Sequence, residues 1–271
     1  MRGGAEICAT LFNFRFRKYL LKEGGHSLSI IVCDCQTSGD DPEKHQVIGL
    51  ALIKCSHAFE VSDELKMNIL YENVMVNPKA IAYNKVDLRN YTDWVTEEDA
   101  RRAVFKFLQA PEDLDKNSEQ FAKKHVYAGL NVNFDIPFVR NFLTPRAFKK
   151  IFRYRPYDAL GVYDFLYRIG VVAEARSDKL IDLAESLGVK IDKKKLASGD
   201  PIVHAQVTRK VCREMDRIAG GLAELVSVYG YGIPHLLKTN DSVAKNRNKA
   251  LREARQKITE LLEKEDKEKE Q

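Results

Sequence analysis

The sequence is poor in several things that would decide its class at once. It has a single tryptophan, six histidines and five cysteines in 271 residues. No apolar run approaches the roughly 20 residues needed to cross a bilayer, so membrane-spanning classes are set aside. The cysteines (Cys8, Cys33, Cys35, Cys55 and Cys212) are odd in number and scattered, which argues against a disulfide scaffold or a cysteine-rich zinc site. Cys33 and Cys35 are assigned to opposite faces of a strand, and all five read as reduced thiols in a cytoplasmic setting. Charge of one sign is also scarce: the net charge is only +5, which permits a polyanionic partner without demanding one. No internal repeat is visible.

What is present is a globular composition, 44% hydrophobic and 31% charged. Glycine and charge shifts divide the chain into a basic lead-in over 1–26, a dense apolar region over 27–217, and an extension with a charged tail over 218–271. The lead-in stretch CATLFNFRFRKYLL is broken by Arg15, Arg17 and Lys18. It therefore lacks a secretory apolar core and reads as an element packed on the domain, with an organelle presequence as the alternative.

Within the middle region, Leu28–Val32, Gln46–Cys55 and Lys66–Val74 read as three strands of an antiparallel meander. The stretch NPKAIAYNKVD follows as a loop. Thr96 with Glu97, Glu98 and Asp99 opens a helix, because acids suit its positive first turn. Val126–Leu130 reads as a fourth strand, followed by a helix over Ile136–Phe142. Further helices fit Ala159–Arg168, Lys179–Leu187 and Pro201–Ile218, the last with proline in its first turn. Strands first and helices later imply an α/β domain with a mixed sheet. In the tail, Leu251, Ala254, Ile258 and Leu261 form a short heptad stripe suited to a protein partner or to self-association.

Two aspartates carry the chemistry. Asp34 ends the apolar run in IVCDCQTSG, and Asp135 follows another strand in GLNVNFDIPF. Acids at strand ends converge across a sheet, and two divalent cations about 3.5–4 Å apart need several such oxygens to activate water for phosphodiester attack.

IVCDCQTSG resembles the first motif of the DnaQ-like DEDDh exonucleases, a branch of the ribonuclease H-like superfamily, which runs Asp-x-Glu-Thr-Thr-Gly. GLNVNFDIPFVR resembles the second motif. YDALGVYDFLYR and KLIDLAESLGVKI resemble the segments that precede the third. The resemblance implies a ribonuclease H-like mixed sheet flanked by helices, with a charged helical tail beyond it. It also implies a magnesium- or manganese-dependent 3′–5′ exonuclease acting on single-stranded DNA or RNA. On the matched positions, Asp34 and Asp135 bind metal. Thr37, Ser38, Gly39, Asn131 and Phe134 hold the 3′ end.

The third motif departs from the pattern. In GDPIVHAQVTRKV, Gly199 falls where the family has its histidine base, and His204 falls where it has its last aspartate. Gln36 replaces the glutamate. Shifting the register to make His204 the base places Arg209, not an acid, at the metal position. Asp40, Asp41 and Asp158 are the nearby acids that could substitute, whereas Asp200, beside the expected base, points elsewhere unless the loop is rearranged. Two carboxylates balance two magnesium ions poorly; a single ion, or manganese or zinc with His204 as third ligand, is better compensated. Loss of a general base alone costs about 10²–10⁴-fold. The expectation is an exonuclease-fold protein that is inactive or impaired and binds nucleic acid or acts as a scaffold. The alternatives are an active exonuclease using Asp34, Asp135 and His204, and a protein scaffold that touches no nucleic acid. Basic stretches that could meet a backbone are RAFKKIFRYRPY, Lys193–Lys195 and KNRNKALREARQK; the first interleaves aromatics suited to stacking.

Overall fold

The computed structural model describes residues 29–87, 91–111, 114, 125–229, 256 and 260. The expected lead-in over 1–26 and the stripe from Leu251 to Leu261 lie outside the described residues, as does all of KNRNKALREARQK except Gln256. Among the described residues, no helix is long and apolar enough to cross a membrane.

Six strands form one mixed sheet in the order β4-β3-β2-β1-β5-β6. They are β1 (Ile30–Thr37), β2 (Val47–Cys55), β3 (Val61–Leu70), β4 (Trp94–Thr96), β5 (Val126–Gly129) and β6 (Tyr157–Asp158). The first three form the expected antiparallel meander, while β4, β5 and β6 join in parallel. The β-branched and apolar run of β2 is buried from Val47 to Ile53 because both faces of the central strands are covered.

The helices are α1 (Pro78–Asn84), α2 (Glu97–Phe107), α3 (Val132–Leu143), α4 (Pro145–Ile151), α5 (Ala159–Arg168), α6 (Leu180–Ser186), α7 (Lys193–Leu196) and α8 (Pro201–Tyr229). On one face of the sheet, Ile31, Leu50, Leu52 and Tyr127 pack with Val104 and Phe105 of α2 and with Phe138, Val139 and Phe142 of α3. Thr96 caps α2 by accepting the Asp99 N–H, as its sequence implies.

Several boundaries differ from expectation. β1 runs on through Asp34 to Thr37, so Asp34 lies inside a strand. β3 is Val61–Leu70 rather than Lys66–Val74; its first four residues are exposed, which hid its start among polar side chains. The expected loop NPKAIAYNKVD is α1, capped by Asn77 and opened by Pro78. Cys33 and Cys35 do not face opposite ways. Residues two apart in a strand share a face, and both thiols border the packed core while Asp34 and Gln36 take the other side. The four described cysteines are free thiols.

The chain divides into two compact units. One comprises His26–Val162 with Ala175–Arg213, and the other includes Tyr163–Glu174 and residues from Glu214 onward. All site residues described below belong to the first. In the second, the Tyr163 hydroxyl donates to the Ala173 carbonyl at 2.6 Å.

Candidate active site

The sheet register places the site's side chains in rows. Asp34 pairs with Ala51, which pairs with Lys66; Gln36 pairs with Gly49, Gly49 with Asn68, and Asn68 with Trp94. The small residues of β2 keep the floor open between these rows. β5 pairs with β1 only as far as Val32. Beyond that point α3 takes over, and buried Asp135 accepts the Cys35 thiol at 3.0 Å and the Cys35 N–H.

Both acids are held toward their protonated forms. Burial pushes Asp135 up to about 7; the Asp158 charge adds to this, and the two hydrogen bonds from Cys35 oppose it. Asp34 is raised well above the usual carboxylate range by burial first, then by the charges of Asp135 and Asp200. His204 approaches from α8, its Nδ1 4.0 Å from Asp34 Oδ1. Its Nε2 lies 3.0 Å from the Leu196 carbonyl, which fixes the proton on that nitrogen. His204 thus approaches Asp34, and Asp135 lies near enough for its charge to act on Asp34.

Gln36 has a different occupation. It is 7% exposed, and its Nε2 donates to the Asn84 carbonyl at 3.1 Å and to the Gly199 carbonyl. One amide thus ties the end of α1 to the turn before α8. Asn84 Nδ2 returns a hydrogen bond to the Thr37 carbonyl at 2.9 Å, and Lys85 Nζ donates to the Ala197 carbonyl. Gly199 sits at φ +80°, and a Cβ there would stand 2.8 Å from the Asn84 oxygen. A histidine at that position meets both a left-handed backbone and a backbone clash.

The expected 3′-end loop is also engaged. Thr37 Oγ1 donates to the Gly39 carbonyl at 2.6 Å. The Ser38 N–H donates to the Gln46 carbonyl, and the Ser38 carbonyl accepts the Asn77 N–H at 2.7 Å. Thr37, Ser38 and Gly39 are all buried. Asn131 and Phe134 sit at the exposed start of α3: Asn131 is left-handed, and Phe134 stacks on Phe138 at 5.2 Å.

The nearby acids have other roles. Asp158 accepts the Asn131 and Leu160 N–H groups. Asp200 caps α8 through the Ile202 N–H and pairs with Lys66 at 2.6 Å. Asp41 accepts the Glu43 N–H and pairs with Lys44 at 2.6 Å in its own turn. Among the described residues, no three His, Cys, Asp or Glu side chains converge as a metal site. With Gln36 committed to two carbonyls, the residues present do not fit a two-cation centre. A cavity of about 370 Å³ adjoins Gln36, lined by Lys66, Asn68, Lys85, Trp94 and Asp200 among others. Asn84, Lys85 and Trp94 were not foreseen as site residues; the one local signal was the Asn77-Pro78 helix start that brings Asn84 into place.

The same arrangement of strands and helices occurs in exonuclease I from Methylocaldum szegediense, with a TM-score of 0.58 at 15% sequence identity, covering 74% of this chain and 43% of that one. This is the ribonuclease H-like exonuclease fold. Exonuclease I of E. coli, in complex with a dT13 oligonucleotide, matches with a TM-score of 0.57 at 14% identity over 74% of this chain and 44% of its own. A zinc-bound form of the E. coli enzyme with single-stranded DNA matches equally, covering 43% of that chain. The chain spans less than half the length of these exonucleases. No protein-family model matches the sequence, and no curated protein matches it. The fold expected from the motif order is the fold found.

Proposed function

We propose that this chain is a catalytically disabled exonuclease-fold protein that binds single-stranded nucleic acid without cleaving it. The observation that carries this reading is the Gln36 amide. At the position where the family motif places a metal-binding glutamate, it donates to the carbonyls of Asn84 and Gly199. A carboxylate there would face two carbonyl oxygens instead of a cation. Gly199, at the family's histidine position, has no room for a side chain. A general base and an anionic ligand are thus both missing for reasons built into the backbone. Binding remains in reach, and the exonucleases that share this fold include one captured with dT13 and dA16.

The deciding experiment incubates a 5′-labelled single strand with the protein in magnesium and in manganese, beside an Asp34→Ala/Asp135→Ala control. The strand keeps its length in both ions. Shortening from the 3′ end that vanishes in the control overturns the proposal. It would favour an active enzyme using Asp34, Asp135 and His204, for which the 4.0 Å approach of His204 to Asp34 is the supporting geometry. A titration of the same strand against salt addresses the pure scaffold: no binding at low salt rejects a nucleic-acid role.

A further inference from the structure

The segment RAFKKIFRYRPY splits into an inward and an outward set. Ala147, Ile151, Phe152 and Tyr157 are buried in the fold. Phe152 is held by Tyr127 at 5.3 Å and by Phe148 at 4.8 Å. The backbone is pinned as well, because the His125 N–H donates to the Ile151 carbonyl and the Arg153 N–H to the His125 carbonyl, both at 2.8 Å. Arg146, Lys149, Tyr154 and Arg155 point outward. Tyr154 is 96% exposed, the highest value of any large hydrophobic side chain described. Arg146, Lys149 and Arg155 have no carboxylate partner among the described residues. A rigid base therefore presents one bare aromatic ring among cations.

The patch is remote from the candidate active site. β1, β5 and β6 run parallel. Asp34 lies in the later half of β1, and Asp135 follows the end of β5. Tyr154 precedes β6, beside the parallel bridge of Phe152 with His125 that opens β5. The two sites thus occupy opposite ends of the strands.

We infer that Tyr154, with Arg146, Lys149 and Arg155, is a contact site for single-stranded nucleic acid, Tyr154 stacking on a base while the three cations meet phosphates. The inference rests on the nucleic-acid-binding reading above and places the strand where that reading leaves it unplaced. An acidic protein surface would use the cations but has no need of a bare ring. A base has a π face that the ring can cover, and stacking of this kind tolerates any sequence.

The test is fluorescence anisotropy of a labelled single-stranded 20-mer with the intact chain, read across a salt series, with polyglutamate as a competing polyanion. Tyr154→Ala is expected to weaken binding by about 5- to 150-fold, the range that loss of one stacked base gives, while Tyr154→Phe keeps it. The triple change Arg146→Ser/Lys149→Ser/Arg155→Ser is expected to flatten the logarithmic salt slope by about 2, near 0.7 per phosphate lost. Because these side chains project into solvent, circular dichroism and melting temperature stay at wild-type values. Binding equal to wild type in both Tyr154→Ala and the triple variant overturns the inference but spares the function proposed above. So does polyglutamate competing as well as an unlabelled strand with no effect of Tyr154→Ala. Absence of strand binding by the wild type itself overturns both.

Discussion

Changing Gln36 to glutamate is the sharpest perturbation of this molecule, because it alters no shape and only one functional group. The amide is buried and donates to two carbonyls, Asn84 O and Gly199 O. Gln36→Glu removes both donors at neutral pH and places an anion against two oxygen dipoles. A stranded buried polar group costs about 1–3 kcal/mol, so two stranded carbonyls give a loss of roughly 2–6 kcal/mol. Set against a total stability of about 5–15 kcal/mol, this is large enough to read by urea unfolding. The loss depends on pH in a definite direction. The new carboxyl has a folded pKa above its unfolded value, since its neutral form alone can donate a proton to one of the carbonyls. The penalty is therefore greatest at pH 8 and shrinks as the pH falls toward 4. Gln36→Met, which loses the donors without gaining a charge, is destabilised with no such pH dependence. Hydrogen exchange should localise the damage to 77–87 and 197–201. The reasoning is refuted if Gln36→Glu matches wild type at pH 8, or if magnesium or manganese stabilises it and a strand is then shortened.

Other outcomes follow from the same geometry. Asp135 has its pKa raised from 3.8 to about 7, so its protonated form is favoured on folding, and that stability is lost as the pH rises through about 7. The rise is worth roughly 4 kcal/mol. Asp135→Asn should be more stable than wild type at pH 8 and close to it at pH 4 in urea titrations; equal destabilisation at both pH values rejects the sign. Gly199→Ala combines the left-handed backbone with a 2.8 Å approach to Asn84 O and should cost about 1–3 kcal/mol, seen as a melting temperature lowered by a few degrees. An unchanged melting temperature would show that the turn relaxes freely.

Some of this was legible from the residues alone. The apolar runs of β1 and β2 and the proline that opens α8 specify those elements locally, and the order of the motifs specified the fold. Asp34 and Asp135 stand out as strand-end acids, but Asp34 lies inside β1 and Asp135 in the first turn of α3. The role of Gln36 could not be read, because its two partners lie 48 and 163 residues away and are backbone carbonyls, which carry no mark in a sequence. Helix α1 was missed for a related reason. It has no buried residue and so no apolar stripe, and only the Asn77-Pro78 cap betrays it. The thiols were misplaced by a plain error of strand period. Their true side puts Cys35 against Asp135, where its two hydrogen bonds partly offset the effect of burial on that acid.

The glycine in β2 opposite Gln36 has a consequence for the order in which this site could change. A Cβ at position 49 would stand 2.5 Å from Gln36 Oε1. The amide thus reaches its carbonyls only over a bare backbone. Residues 36, 49, 84 and 199 hold one another in place, and a change of any one of them to an acidic ligand or a histidine base is opposed by the three that remain. Such a set must change together, so no single substitution is a short route to a new ligand at this position.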